Sequence, residues 1–165
     1  GIRDQPRSRG LGDVYKRQVN EVVLHSGELA KMTSFSLFKN NKLIANHKSD
    51  GLIVASATGS TAYMYSGGGP VLYPTLDFFD IMPMFYNSSS TRTLVIPAED
   101  ELELKYEHDE KAKVILDGHN EFDLESGDSL KIKSSSTRYN LIQPTDYDYF
   151  EACRSKLYWG LPIVK

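Results

Sequence analysis

The sequence predicts a mainly β protein: a two-layer β-sandwich of short antiparallel strands, with a short helix after a Gly/Ser/Thr-rich segment and a second helix near the C-terminus. Three observations predict it. Beyond residue 93, Leu102, Leu104 and Tyr106 alternate with Glu101, Glu103 and Lys105, and Leu130 and Ile132 alternate with Lys131 and Lys133. A period of two buries one face of each strand and leaves the other wet. Turn-forming pairs, Asn40-Asn41, Asp109-Glu110 and Asp117-Gly118, punctuate such runs at the spacing of a sandwich. The 165 residues, 40% hydrophobic and 25% charged, are enough to bury one core.

Residues 1–18, GIRDQPRSRGLGDVYKRQ, show neither helical nor strand period and are rich in Arg and Gly. They resemble a translated sequencing adaptor and read as a non-native or disordered leader, so the fold is expected to begin at Val19. Val19 to His25 places β-branched residues around the polar pair Asn20-Glu21 and reads as a strand. Ser34 to Phe38 and Leu43 to Ala45 read as strands of a hairpin across Asn40-Asn41. Lys48 and Asp50 would share a face of one extended segment. Leu52-Ile53-Val54 is a strand after the Asp50-Gly51 turn signal. Ala57 to Tyr63 is small and hydroxyl-bearing, and Ser60 is expected to cap a short helix by accepting from an N–H two or three residues on. Gly67 to Gly69 lets backbone pass close to a neighbour.

Thr75 to Phe79 is expected as a short helix starting near Pro74 or Thr75, and Asp80 to Thr93 as a loop. Leu94 to Ile96, Leu102 to Tyr106, Ala112 to Leu116, Leu130 to Ile132 and Tyr139 to Ile142 complete the strands. Asp117-Gly118 reads as a tight turn. In Tyr147 to Trp159, Phe150, Cys153 and Leu157 fall near helical spacing, with Asp146 or Thr145 as cap.

Composition narrows the function. A net charge of −3 without a long basic block argues against a nucleic-acid partner. No run approaches the ~20 apolar residues of a membrane helix. The single cysteine, Cys153, cannot form an internal disulfide, which favours a reducing compartment, the cytoplasm. His25, His47, His108 and His119 share no metal-ligand spacing.

The informative stretch is Asp50 to Pro70, DGLIVASATGSTAYMYSGGGP. A Gly-loop entering a helix start gathers backbone N–H groups and suits an anion, although such clusters are also ordinary loops. No Gly-Lys-Ser/Thr follows, so the Walker phosphate loop is excluded. The ordered run of DG, LIV, TGSTAY and GGP resembles the signature of the NAD kinase family, enzymes that phosphorylate NAD to NADP. The resemblance extends from about Asn20 to Trp159. Asn20-Glu21 is similar to the family's Asn-Glu pair, and Asp117-Gly118-His119 to its Asp-Gly-Gln, with His in place of Gln. The closing Lys156-Leu157-Tyr158-Trp159 is similar to Lys-Leu-x-Trp. It departs between Asp80 and Thr93, where Tyr86-Asn87 stand for Pro-His and Thr93 for the Pro after Arg92.

The resemblance implies that residues 19–165 are the C-terminal β-sandwich domain of an NAD kinase, without the family's N-terminal α/β lobe. That lobe carries Gly-Gly-Asp-Gly-Thr, whose Asp takes the proton from the ribose 2′-hydroxyl. No such motif occurs here, so no catalytic residue is assigned and negligible turnover is expected from this chain alone. The implied reaction moves a phosphoryl group from ATP or polyphosphate to the 2′-hydroxyl of NAD. Mg2+ is the implied cofactor, with no ligands assigned. The implied substrate contacts are Asn20, Glu21, Lys31, Lys48, Asp50, Thr58, Thr61, Ala62, Tyr63, Met64, Tyr65, Ser66 and His119. Asn20 would meet the adenine edge and Glu21 the ribose hydroxyls. Tyr63 would stack on a ring, and Ser66 would donate to a hydroxyl or phosphate. A homo-oligomer, dimer or tetramer, is also implied. Two alternatives stay open: a lobe of a related diacylglycerol or sphingosine kinase, which would need an apolar cavity, and a noncatalytic nucleotide-binding β-sandwich.

Overall fold

Two antiparallel sheets stack face to face in a computed structural model that describes residues 2–8, 12–13, 16–28, 31–86, 92–138 and 140–160. The strands are β1 (Ile2–Ser8), β2 (Gly12–Asp13), β3 (Lys16–Gln18), β4 (Glu21–His25), β5 (Thr33–Lys39), β6 (Lys42–Ser49), β7 (Gly51–Ser56), β8 (Phe78–Met84), β9 (Leu94–Pro97), β10 (Leu102–Tyr106), β11 (Ala112–Leu116), β12 (Asn120–Leu124) and β13 (Ser129–Ser134). A 3-10 turn at Gly59–Thr61 leads into α1 (Tyr63–Ser66), and α2 is Tyr149–Leu157. The first sheet runs β2-β1-β13-β10-β5-β6, with β3 also against β1, and the second runs β12-β11-β4-β7-β8-β9.

The alternating residues meet between the sheets. Phe35, Leu37, Leu102, Leu104, Leu130 and Ile132 of the first sheet close on Val22, Leu24, Leu52, Val54, Phe79, Ile81 and Val114 of the second. The mainly β sandwich expected from the sequence is therefore observed. Asn40 and Asn41, at φ 48° and 62°, take the left-handed conformation that a two-residue hairpin between paired Lys39 and Lys42 requires.

β4 and β7 differ from the alternating strands β10 and β11. Four consecutive residues of β4 and five of β7 are buried, so both faces of these strands are covered. The outer cover is α1. Met64 is fully buried and packs with Val23, Ile53, Ala55 and Met84. Gly67 and Gly69 make this seat close: a Cβ at 67 would run into Met82 Cε, and one at 69 into Met64.

Several expectations need correction. Ile2–Ser8, expected outside the fold, lies antiparallel to β13, with Ile2 opposite Ser134 and Pro6 opposite Leu130. The edge of β13 offers a ladder of backbone groups that an extended segment can satisfy whatever its side chains. The expected helix at Thr75 to Phe79 is a turn followed by strand β8, which also takes the expected loop as far as Met84. Neither Phe79 nor Ile81 could be buried in the sandwich from a helix there. β12 was not expected, and β6 is longer than Leu43 to Ala45. Asn140 to Ile142 are not strand, while Tyr139 and Asn87 lie outside the described residues. The cap of α2 is Asp148, whose carboxylate accepts from Phe150 N at 2.8 Å, rather than Asp146 or Thr145.

Candidate functional site

The site is assembled by one side chain. The Asp117 carboxylate accepts from Val19 N (2.8 Å), Asn20 N (2.9 Å) and Glu21 N (3.0 Å). Its own N–H returns to Glu21 O. Asp117 and Gly118 turn the chain with φ of 47° and 69°, so the tight turn is present. The turn also clamps the Asn20-Glu21 segment from 97 residues away. Sequence reasoning read Asp117 as a turn residue only. No local sequence pattern signals that its carboxylate serves N–H groups nearly 100 residues away.

The same segment is pinned to the Gly/Ser/Thr stretch. Ser56 N donates to Asn20 O at 2.8 Å, and Ser56 Oγ donates to Val19 O at 2.6 Å while accepting from Gly59 N at 3.0 Å. Any side chain at 59 would collide with Asn20 O, so the approach requires glycine. Glu21 closes the junction. It is 6% exposed, the Tyr63 backbone N–H acts on its carboxyl, and Oε2 has no partner. Burial, reinforced by the Asp117 charge, pushes its carboxyl above the usual range.

Asn20, Glu21, Tyr63 and His119 are therefore brought to one end of β4 and β7, with Thr61 and Ala62 in the turn before α1 and Ser66 at the end of that helix. Tyr63 and Ser66 are exposed on α1, and Thr61 and Ala62 are half-buried beside them. His119 is exposed on the β11–β12 turn, its Nδ1 against Asp117 O. Ser60 does not cap α1. It is fully buried, donates to Ala57 O and accepts from Leu72 N at 2.9 Å, tying the loop to the chain beyond the glycines. Met64 faces the sheet and cannot reach a ligand on the open side of α1. Tyr65 is half-buried and its hydroxyl donates to Leu157 O, anchoring α2. Thr58 turns toward a cavity of about 370 Å³, which it lines with Val19, Phe79 and Asp77. Arg138 closes that cavity through two bonds to Asp77, whose carboxyl is held below its usual range.

Lys31, Lys48 and Asp50 lie elsewhere. Glu21 pairs with Ala55, whereas His25 pairs with Gly51. Four residues of strand separate the two ends by ~13 Å. Lys31 sits at the far end, ion-paired to Glu28 at 2.6 Å and Glu110 at 2.9 Å. Lys48 lies one residue before the end of β6 and the chain bends at Asp50 before β7, so the two do not share one strand as expected.

Comparison with known proteins bears on the family and the fold. The model of the ATP-NAD kinase C-terminal domain matches residues 19–144. The NAD kinase of Ectopseudomonas mendocina is 38% identical over 161 residues, which cover 96% of this chain and 53% of that protein. The NAD kinase of Azotobacter vinelandii is 40% identical over the same shares. The chain thus spans about half the length of the curated relatives it matches. Among solved structures, a yeast NADH kinase complexed with NADH superposes with a TM-score of 0.90 over 99% of this chain and 49% of that one. At 22% identity it speaks for the fold alone. An NAD kinase from Archaeoglobus fulgidus in complex with ATP gives a TM-score of 0.67 at 28% identity, over 82% of this chain and 52% of that one. With the family match running through the clamp, the glycine-dependent loop and both sheets, the chain belongs to the ATP-NAD kinase C-terminal domain family.

Proposed function

We propose that this chain is the nucleotide-binding lobe of an NAD kinase, whose complete form moves a phosphoryl group from ATP or polyphosphate to the 2′-hydroxyl of NAD. The single observation that carries this is the junction at which Asp117 fixes Asn20-Glu21 against the loop before Tyr63. In this reading an amide, exposed hydroxyls and an aromatic ring line one groove above the buried Glu21 carboxyl, a set suited to a base, a ribose and a second ring. The relatives named above are NAD kinases, which does not favour the lipid-kinase or the noncatalytic reading.

The domain is read as residues 19–165, supported by the start of the family match at residue 19. Mg2+ is left to the complete enzyme. Among the described residues no three His, Cys, Asp or Glu side chains gather to hold a metal, so the residues present do not fit the ion by themselves. Because Lys48 and Asp50 are ~13 Å or more along the strands from Glu21, they serve a homo-oligomer in this reading, approaching the nucleotide of a neighbouring copy. No helix among the described residues is long and apolar enough to cross a membrane, and a cytoplasmic setting accords with the single reduced Cys153.

The test is calorimetric titration of NAD into the chain. Saturable binding is expected, weakened at least tenfold by Tyr63→Ala. Equal affinity in the two proteins, or none in either, would overturn the groove. NADP formation from NAD and ATP by this chain alone is expected to be negligible.

A further inference from the structure

The outer face of the second sheet carries two carboxyl groups in one row. Glu21, Ala55 and Asp80 are direct partners across β4, β7 and β8, so their side chains leave the sheet on the same side. Along β8, Phe79 and Ile81 enter the sandwich core while Met82 and Met84 join the Met64 cluster. By alternation Asp80 shares the side of the methionines. It is 0% exposed and neither carboxylate oxygen has a partner. The roof over this face is the segment from Gly59 to Gly69, with Ser60 and Met64 fully buried in it and Gly67 resting on Met82. A carboxylate without partners is strongly disfavoured in such a place, and a neutral carboxyl is the form it accepts.

We propose that Asp80 is a positioning residue for α1: its neutral carboxyl lets the helix seat on the sheet, and its ionisation unseats the helix and the groove residues it carries. The seat itself stands on the geometry of β8 and α1, and only its consequence for NAD rests on the groove reading above. Burial pushes the Asp80 carboxyl up to about 6. The titratable groups on the elements packed here are Glu21 of β4, itself raised by burial, and the phenols of Tyr63 and Tyr65 on α1. Burial alone moves the Asp80 carboxyl, with no neighbouring charge among the described residues acting on it. The Asp77–Arg138 pair lies beyond Phe78 and is satisfied within itself. When α1 lifts, Asp80 meets water and returns toward its ordinary 3.8. A folded value above the open value means that seating is favoured below that range and is progressively lost as pH rises through about 6.

Amide hydrogen exchange on the full chain tests this without any ligand. Relative to intrinsic exchange rates, protection at Tyr65, Gly67 and Gly69 is expected to fall roughly tenfold between pH 5 and pH 8. In Asp80→Asn, and in Asp80→Thr if the amide is poorly accepted, it is expected to stay level within about twofold. An unchanged pH response in a folded variant would assign the effect to Glu21 and overturn the proposal, as would a flat wild type. Carboxyl carbon-13 shifts of the wild-type chain give a variant-free check. Asp80 should titrate near pH 6 together with the α1 amides, and a midpoint near that of an ordinary aspartate would overturn it. NAD affinity measured over the same pH range should follow the protection. If protection switches and affinity does not, the groove reading fails and the seat remains.

Discussion

The two faces of β4, β7 and β8 are built from neighbouring residues to opposite standards. The inner face presents Val22, Leu24, Leu52, Val54, Phe79 and Ile81, none more than 2% exposed and none with a polar atom. The outer face presents Glu21, Val23, Ile53, Ala55, Asp80, Met82 and Met84, which mix unpartnered carboxyl oxygens with flexible thioethers. One face specifies the sandwich, and the other adapts to the short segment that carries the groove. Truncation should expose the difference. Leu24→Ala is expected to cost about 3–5 kcal/mol, the usual range for a buried leucine. Val23→Ala, one residue along and facing α1, should cost only about 1–2 kcal/mol. Urea unfolding of both variants measures this, and equal losses would mean that the outer face is as tightly packed as the core.

Asp117→Ala sharpens the contrast between holding the fold and holding the groove. Three N–H groups lose a charged acceptor at 2.8–3.0 Å, but they are only partly buried and water can replace some of the bonds. The expected loss of stability is about 2–3 kcal/mol. NAD affinity should fall at least tenfold, because Asn20 and Glu21 lose their register against Gly59. Asp117→Asn keeps one acceptor oxygen and should recover part of both. A destabilised variant that binds NAD normally would show that the clamp supports the sandwich and not the groove.

The same contrast explains what was legible. Inner-face strands such as Leu102 to Tyr106 announce themselves, because alternation is a local pattern and burial on one side is its cause. The Asn40-Asn41 hairpin is equally local, since two residues at positive φ are rarely tolerated by other side chains. β8 was missed because Asp80 and Pro83 interrupt its apolar run, and only the roof of α1 makes a buried aspartate intelligible. Tyr139 to Ile142 misled in the opposite way. The segment has strand-forming residues, yet Leu141 and Ile142 are exposed and have no sheet position. In the groove, the TGSTAY run and the Asn-Glu pair were visible as residues, but the Asp117 bonds that join them span nearly 100 positions and leave no periodic trace. The role first given to Ser60 followed a sound local rule that a tertiary partner, Leu72 N, overrides.

Lys31 provides the smallest effect and the cleanest boundary for the groove. Its ammonium lies between Glu28 and Glu110, but all three side chains are about half exposed or more. Exposed pairs of this kind gain little over their hydrated, separated state and are screened by salt. Lys31→Ala should therefore leave the urea midpoint unchanged within error. It should also leave the NAD titration unchanged, because Lys31 stands beside the His25 end of β4, ~13 Å of strand from Glu21. Long-range attraction of an anionic dinucleotide would appear only at low salt and vanish near physiological ionic strength, where the screening length is about 8 Å. A loss of affinity that persists at that ionic strength would move the nucleotide to the far end of the strands, where Lys48 and Asp50 also lie. The division of one chain's residues between its own groove and a neighbour's would then no longer be needed.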